Sequence, residues 1–458
     1  MKTERTATCA AGLALVIVAA TLGAQATGSP MKAPVAVPAA IAAIKEADLR
    51  RDLYTMAGES MRGREAGTLD ELRASAWLAD QFRTIGVAPK GDDGTYFQWW
   101  NMRRTRISTV SSSVALDGRA LALWTEITPT SNLKGDVSTQ TVFVGDGRDT
   151  TIDVKGKVAV AMLQPPTAAL RTTTNSYEYR YARAAITATG NAWARRGAAG
   201  VIVIADSIAD ITYDGVWKIQ ERGAYDVVGG VPRNAPSAQA AAPPPAPRVA
   251  GPPVLFVRRS SLGAFRESGH SVEIHLRTES FDSPSVNVIG VVRGTDPKLR
   301  DEYVLFSSHQ DHDGVRFAID GDSIWSGADD NASTSVALLA IARAFVKQPA
   351  KRSALFVFHG AEERGLLGSR YHAAHPVVPL ANIVAVLNGD MIGRNNPDSA
   401  ALLGSQPPHR NSSELVQMAI DANAATEKFI IDSLWDRPTH PEGWYFRSDH
   451  VPYARLGV

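Results

Sequence analysis

The chain has 458 residues, more than one ordinary domain needs, with 44% hydrophobic residues, 21% charged residues and a formal net charge of +1. This is the balance of a globular protein with a sizeable core, and near-neutrality without a basic run argues against nucleic-acid binding and electrostatic docking on a membrane. A single cysteine, Cys9, excludes a disulfide framework.

Residues 1–26 read as a secretory signal peptide. Lys2 and Arg5 give a basic start, residues 10–22 an apolar stretch, and Ala24-Gln25-Ala26 the small residues of a cleavage site. The stretch is short for a bilayer span, so the expectation is a cleaved signal, no stable membrane anchor and a secreted or periplasmic protein. Cleavage would remove the only thiol, which suits an oxidising compartment. Residues 27–40 form a Pro/Ala-rich leader. Residues 41–133 make the first part of a larger domain. A helix is expected over 41–56, and a better-marked one follows. Thr68 and Glu71 have the spacing of a capping box, Leu72, Ala76, Ala79 and Phe82 recur at helical intervals, and Gly86 supplies the stop.

Between 134 and 278 the pattern changes. Short strand-like runs occur at 141–144, 157–162, 201–205, 254–257 and 272–276, with one helical stretch at 191–196. Residues 234–253 are rich in Ala and Pro and read as a surface loop. The segment is expected to be a β-rich insert.

Residues 279–458 carry the candidate chemistry. Three apolar runs, 303–306, 354–358 and 383–387, read as buried strands; His309 follows the first, Glu362 and Glu363 the second, Asp390 the third. Strand ends of an open α/β sheet converge on one crevice, so these side chains should meet there. Asp329 precedes a helical stretch over 336–346, and His450 lies near the end of the chain. Two imidazoles and three carboxylates, His309, Asp329, Glu363, Asp390 and His450, suit two divalent cations sharing a carboxylate, with Glu362 as a base. Asp329, Asp330 and Asn331 are equally the residues of a helix cap, and both readings stand at this point. His312, His359, His372 and His375 read as ordinary structural histidines. Serine chemistry is set aside: Gly269-His270-Ser271-Val272-Glu273 lacks the closing glycine of a nucleophile elbow and precedes a strand.

The blocks His309-Gln310-Asp311-His312, Gly327-Ala328-Asp329-Asp330-Asn331-Ala332-Ser333, Ala361-Glu362-Glu363-Arg364-Gly365-Leu366-Leu367-Gly368-Ser369, Asn388-Gly389-Asp390-Met391-Ile392-Gly393-Arg394 and Ser448-Asp449-His450 resemble, in order, the motifs of the M28 zinc peptidases. Residues 61–68 resemble that family's early glycine-rich segment, and Arg195-Arg196-Gly197-Ala198-Ala199-Gly200-Val201-Ile202-Val203-Ile204 resembles the core of a protease-associated domain. The resemblance implies a mixed-sheet α/β/α zinc-peptidase domain, 41–133 and 279–458, with a protease-associated insert at 134–278. It implies two Zn2+ ions, with Co2+ or Mn2+ able to replace them: Asp329 bridges, His309 and Asp390 complete one site, Glu363 and His450 the other. Glu362 becomes the general base that takes a proton from water and passes it to the leaving amine. Asp311 orients His309 through its second ring nitrogen, and a cis peptide is expected between Asp329 and Asp330.

The implied substrates are peptides or small proteins and the implied activity is that of an aminopeptidase. A glutamate carboxypeptidase is the alternative, which would need a basic residue such as Arg183, Arg222 or Arg394 for a substrate carboxylate. A glutaminyl-cyclase-like transferase and a receptor-like protein stand further off. Thr334 and Gly389 depart from the family pattern without removing a ligand. Family members continue past a position equivalent to 458; residues 451–458 read as the start of a strand, so a truncated, less stable chain is expected.

Overall fold

A computed structural model describes residues 36–458, except 131–133, 150, 166–176, 234–250, 395, 408, 410, 427 and 441. The expected signal peptide, most of the expected leader and most of the Ala/Pro-rich stretch lie outside the described residues. Among the described residues no helix is long and apolar enough to cross a membrane.

The main sheet contains β1 (Phe97–Ile107), β2 (Ala224–Val227), β3 (Thr278–Val292), β4 (Tyr303–His309), β5 (Ser353–His359) and β6 (Ile383–Asn388), in the spatial order β6-β4-β5-β3-β1-β2; Ala88–Pro89 pairs along β3. β4 runs parallel to β5 and β6, whereas β3 is antiparallel to β5 and β1, so the sheet is mixed. β5 is buried along its whole length. Side chains alternate across a strand, so Ala354, Phe356 and Phe358 enter one core while Leu355 and Val357 enter another. The first core is closed by α1 (Leu69–Ile85), through Leu78 and Phe82, and by α2 (Thr334–Lys347), through Val336, Leu338 and Leu339. The second is closed by Ala373 of α3 (Leu367–Ala374) and Tyr453 of α4 (Val451–Arg455). The result is the expected α/β/α arrangement.

α1 begins and ends where its sequence predicts. Thr68 accepts from the Asp70 N–H, and Gly86, at φ 93°, turns its own N–H back onto Phe82 and Arg83. The capping box does not close, however. Glu71 is fully buried and accepts instead from the Gly67 N–H at 2.6 Å and the Ser285 hydroxyl at 2.7 Å.

A second, eight-stranded sheet draws its strands from Ser113–Leu116 through Ser271–Leu276. Its centre is four parallel strands, Gly135–Gly145, Val158–Met162, Gly200–Ile204 and Val254–Val257, covered on one face by the helix Tyr177–Ala194. The observed sheet therefore starts ahead of residue 134. One strand inside the expected insert, β2, pairs with β1 in the main sheet.

The end of the chain is also different from expectation. Val451–Arg455 is helical, not extended, with Pro452 in the first turn, where a missing N–H costs nothing. Tyr453 is fully buried, and its hydroxyl contacts His372 Nδ1 at 2.6 Å and His359 Nε2 at 3.3 Å. Histidines 359 and 372 are thus core groups.

Candidate metal centre

β6, β4 and β5 are adjacent and parallel, so their carboxyl ends share one edge of the sheet. His309 is the last residue of β4, in register with His359 of β5. The tight turn after β5 carries Glu362 and Glu363 between two left-handed residues, Ala361 and Gly365, and Asp390 follows β6.

His309 is fully buried. Its Nε2 lies 3.2 Å from Asp330 Oδ1, 3.4 Å from Asp390 Oδ1 and 3.9 Å from Glu362 Oε2. Close by, His312 Nδ1 lies 2.8 Å from Glu363 Oε1. Two sets of three potential ligands result, each with ligand atoms within 4.8 Å of one another: His309, Asp330 and Asp390, and His312, Asp330 and Glu363. His309 Nε2, His312 Nδ1 and Asp390 Oδ1 are buried without a hydrogen-bond partner. Buried polar atoms ordinarily find partners, so three unpaired ones converging on shared carboxylates fit a pair of divalent cations.

The shared carboxylate is that of Asp330, which corrects the expectation for Asp329. In the irregular turn 328–333, Asp329 points to the neighbouring loop, where it accepts from the Gly393 N–H at 2.6 Å and pairs with Arg394. The cis peptide lies between Asp330 and Asn331, one residue later than expected. Asn331 is buried and ties the turn to the β6 end, donating to Gly389 O at 3.1 Å.

His450 is likewise not in either set. Because the chain turns into α4 there, the imidazole packs edge-on against Tyr445, ring centroids 5.0 Å apart, and burial pushes it down to about 4. His312 supplies the imidazole of the second set, while His450 Nε2 is also buried without a partner. The only signal of His312 in the sequence was proximity to His309, and a histidine beyond a strand end gives no direction for its side chain.

Asp311 acts differently from expectation. His309 Nδ1 faces the main-chain carbonyl of Asp311 at 3.1 Å, with the carboxylate farther away at 3.8 Å. The carboxylate accepts from the N–H groups of Glu362 at 2.9 Å and Glu363 at 3.3 Å and so holds their turn. Burial raises the Glu362 carboxyl well above its ordinary range, opposed by His309 and reinforced by Glu363, Asp390 and Asp449. Burial would also raise Asp330, but contact with His309 prevails and holds it down at about 2. Asp449, passed over in the sequence, is buried among these charges and pushed up to about 7 by burial. Ser448 donates to Asp390 Oδ2 at 2.7 Å.

Arg64 ties the loops of the site together. This buried guanidinium donates only to main-chain carbonyls: Gln310 at 2.8 Å, Met56 at 2.6 Å, Ser326 at 2.8 Å and Gly327 at 2.9 Å. A cavity of about 160 Å³ opens over the carboxylates of Asp330, Glu362, Glu363 and Asp390, walled by Leu403, Trp435 and Trp444.

Residues 287–458 match the profile of Peptidase family M28. Aminopeptidase YwaD of Bacillus subtilis is 28% identical over 203 residues, covering 43% of this chain and 40% of that protein. The probable leucine aminopeptidase 2 of Aspergillus oryzae is 28% identical over 192 residues, covering 41% of this chain and 35% of that protein. The chain thus spans well under half the length of these relatives. The solved structure of BSAP, a zinc aminopeptidase from Bacillus subtilis, covers 91% of this chain and 83% of its own with a TM-score of 0.50 at 18% identity, a likeness of fold. The part of this chain that carries the site, residues 287–458, is thus similar to peptidase family M28.

Proposed function

We propose that the chain is an exported dinuclear zinc exopeptidase that releases N-terminal residues from peptides. The carrying observation is Asp330, whose carboxylate is shared by His309 with Asp390 on one side and His312 with Glu363 on the other. Those five residues would hold the ions; cobalt or manganese would suit the same ligands. Zinc, when bound, supplies Lewis acidity to the scissile carbonyl and makes water acidic near neutral pH.

The chain's own residues do the rest. Glu362 stands beside the ligands, placed to take a proton from water and return it to the leaving amine, and its burial raises its proton affinity well above that of an ordinary carboxylate. Asp311 fixes the Glu362–Glu363 turn through two N–H groups, and Ser448 fixes Asp390. Trp435 and Trp444 narrow the cavity and limit water around the reacting bond. Export rests on the signal-like residues 1–26, and we read the second sheet as a protease-associated insert.

The test is hydrolysis of free and N-blocked aminoacyl anilides, with chelator and zinc add-back. Cleavage of the free-amine substrates alone, abolished by chelator and restored by zinc, is expected. Cleavage confined to N-blocked substrates, or unaffected by metal removal, overturns the reading.

A further inference from the structure

Beside the small cavity lies a larger one of about 660 Å³, which shares Glu362, Glu363 and Arg447 with it. Among the described residues eight arginines line it, and the two glutamates of the site are the only acids that do. Several of these cations are balanced poorly from within. Among the described residues Arg183, Arg233 and Arg455 have no carboxylate partner; Arg233 and Arg455 contact only main-chain carbonyls through their guanidinium groups. Arg370 is almost wholly buried and spends two nitrogens on Val231 O and Asp226, while its Nη1 has no partner at all. Arg316 pairs with Asp313, yet it is pushed down to about 9, by burial first and then by Arg364 and Arg222. Burying cations together is costly unless an anion joins them, and planar guanidinium forks match a carboxylate in two-point contact.

We propose that this arginine-lined cavity binds a carboxylate of the peptide substrate, one or two residues from the scissile bond. The proposal rests on the peptidase reading. A residue of extended chain spans about 3.3–3.6 Å, so a peptide lying over Glu362 and Glu363 reaches the cavity with its next residues. Two sources carry that anion: the C-terminal carboxylate of a di- or tripeptide, and an acidic side chain within a longer one.

The experiment has a catalytic and a binding arm. In the first, kcat/KM is compared for Leu-Gly-Gly with its C-terminal amide, and for Leu-Glu-Gly-amide with Leu-Gln-Gly-amide. An advantage of about tenfold for one charged partner, shrinking with added salt, is expected and identifies the source. The double variant Arg233→Gln, Arg455→Gln should abolish that advantage and leave the carboxylate-free substrates, Leu-Gly-Gly-amide and Leu-Gln-Gly-amide, unchanged. In the second arm, calorimetry measures binding of the same four peptides to chelator-treated protein, where no turnover is needed. If nothing is hydrolysed but the charged peptides still bind more tightly and lose this in the double variant, the anion site stands and the peptidase reading falls. Equal binding and equal turnover of charged and neutral peptides, or an advantage untouched by the double variant, overturns the proposal.

Discussion

Replacing Arg64 by methionine removes the guanidinium that joins three segments around the site. Four main-chain carbonyls lose their donor: Gln310 beyond β4, Met56 at a helix end, and Ser326 and Gly327 ahead of Asp330. Gly327 O keeps the Ala332 N–H, so three are left orphaned. At the low end of about 1–3 kcal/mol per unsatisfied buried group, the cost is about 3–6 kcal/mol, a large part of the ~5–15 kcal/mol that holds a domain together. Methionine fills a similar length, so little of this arises from a cavity. Thermal unfolding of chelator-treated parent and variant, followed by tryptophan fluorescence, should show the midpoint falling by on the order of 10 °C. Arg64→Lys should recover part of the loss, since an ammonium has three donors but cannot span all four carbonyls. A methionine variant melting within about 2 °C of the parent would show that the carbonyls find other donors and that Arg64 is not what ties these loops.

Asp330→Ala should abolish zinc uptake at both positions, whereas Asp329→Ala should retain both ions and only loosen the 391–394 loop; metal analysis after dialysis reads the difference, and equal losses would return the bridge to doubt. His372 is buried neutral and pushed down to about 3 from an ordinary 6.5, so below pH 6.5 the unfolded chain binds a proton the fold refuses. Stability therefore falls from pH 6.5 toward 3, by up to about 1.4 kcal/mol per pH unit from this group, and His372→Gln should flatten urea-midpoint curves across that window. Glu71, raised to about 8 by burial and then by Asp311, keeps its proton when folded but loses it above 4.5 when unfolded. Its contribution is lost as pH rises from 4.5 through 8, so Glu71→Gln should match the parent at pH 5 and melt higher at pH 8; a parallel pair of melting curves refutes this.

What the sequence determined by itself is local. Apolar runs made β4, β5 and β6 recognisable, and because strands of that length end at polar residues, His309, Glu362, Glu363 and Asp390 could be placed at one sheet edge. Thr68 and Gly86 bounded α1 because capping acts within a few residues. What only the tertiary structure decided is direction. Asp329 and Asp330 are chemically identical neighbours, and the backbone between Gly327 and Ser333 alone determines which carboxylate faces His309 and which faces Arg394. The directions of His312 and His450 were hidden for the same reason: one imidazole meets Glu363, and the other, at the start of α4, packs against Tyr445. The arginine cavity was equally invisible: its cations come from stretches far apart in the chain, and no run of basic residues announces a charge cluster assembled by folding.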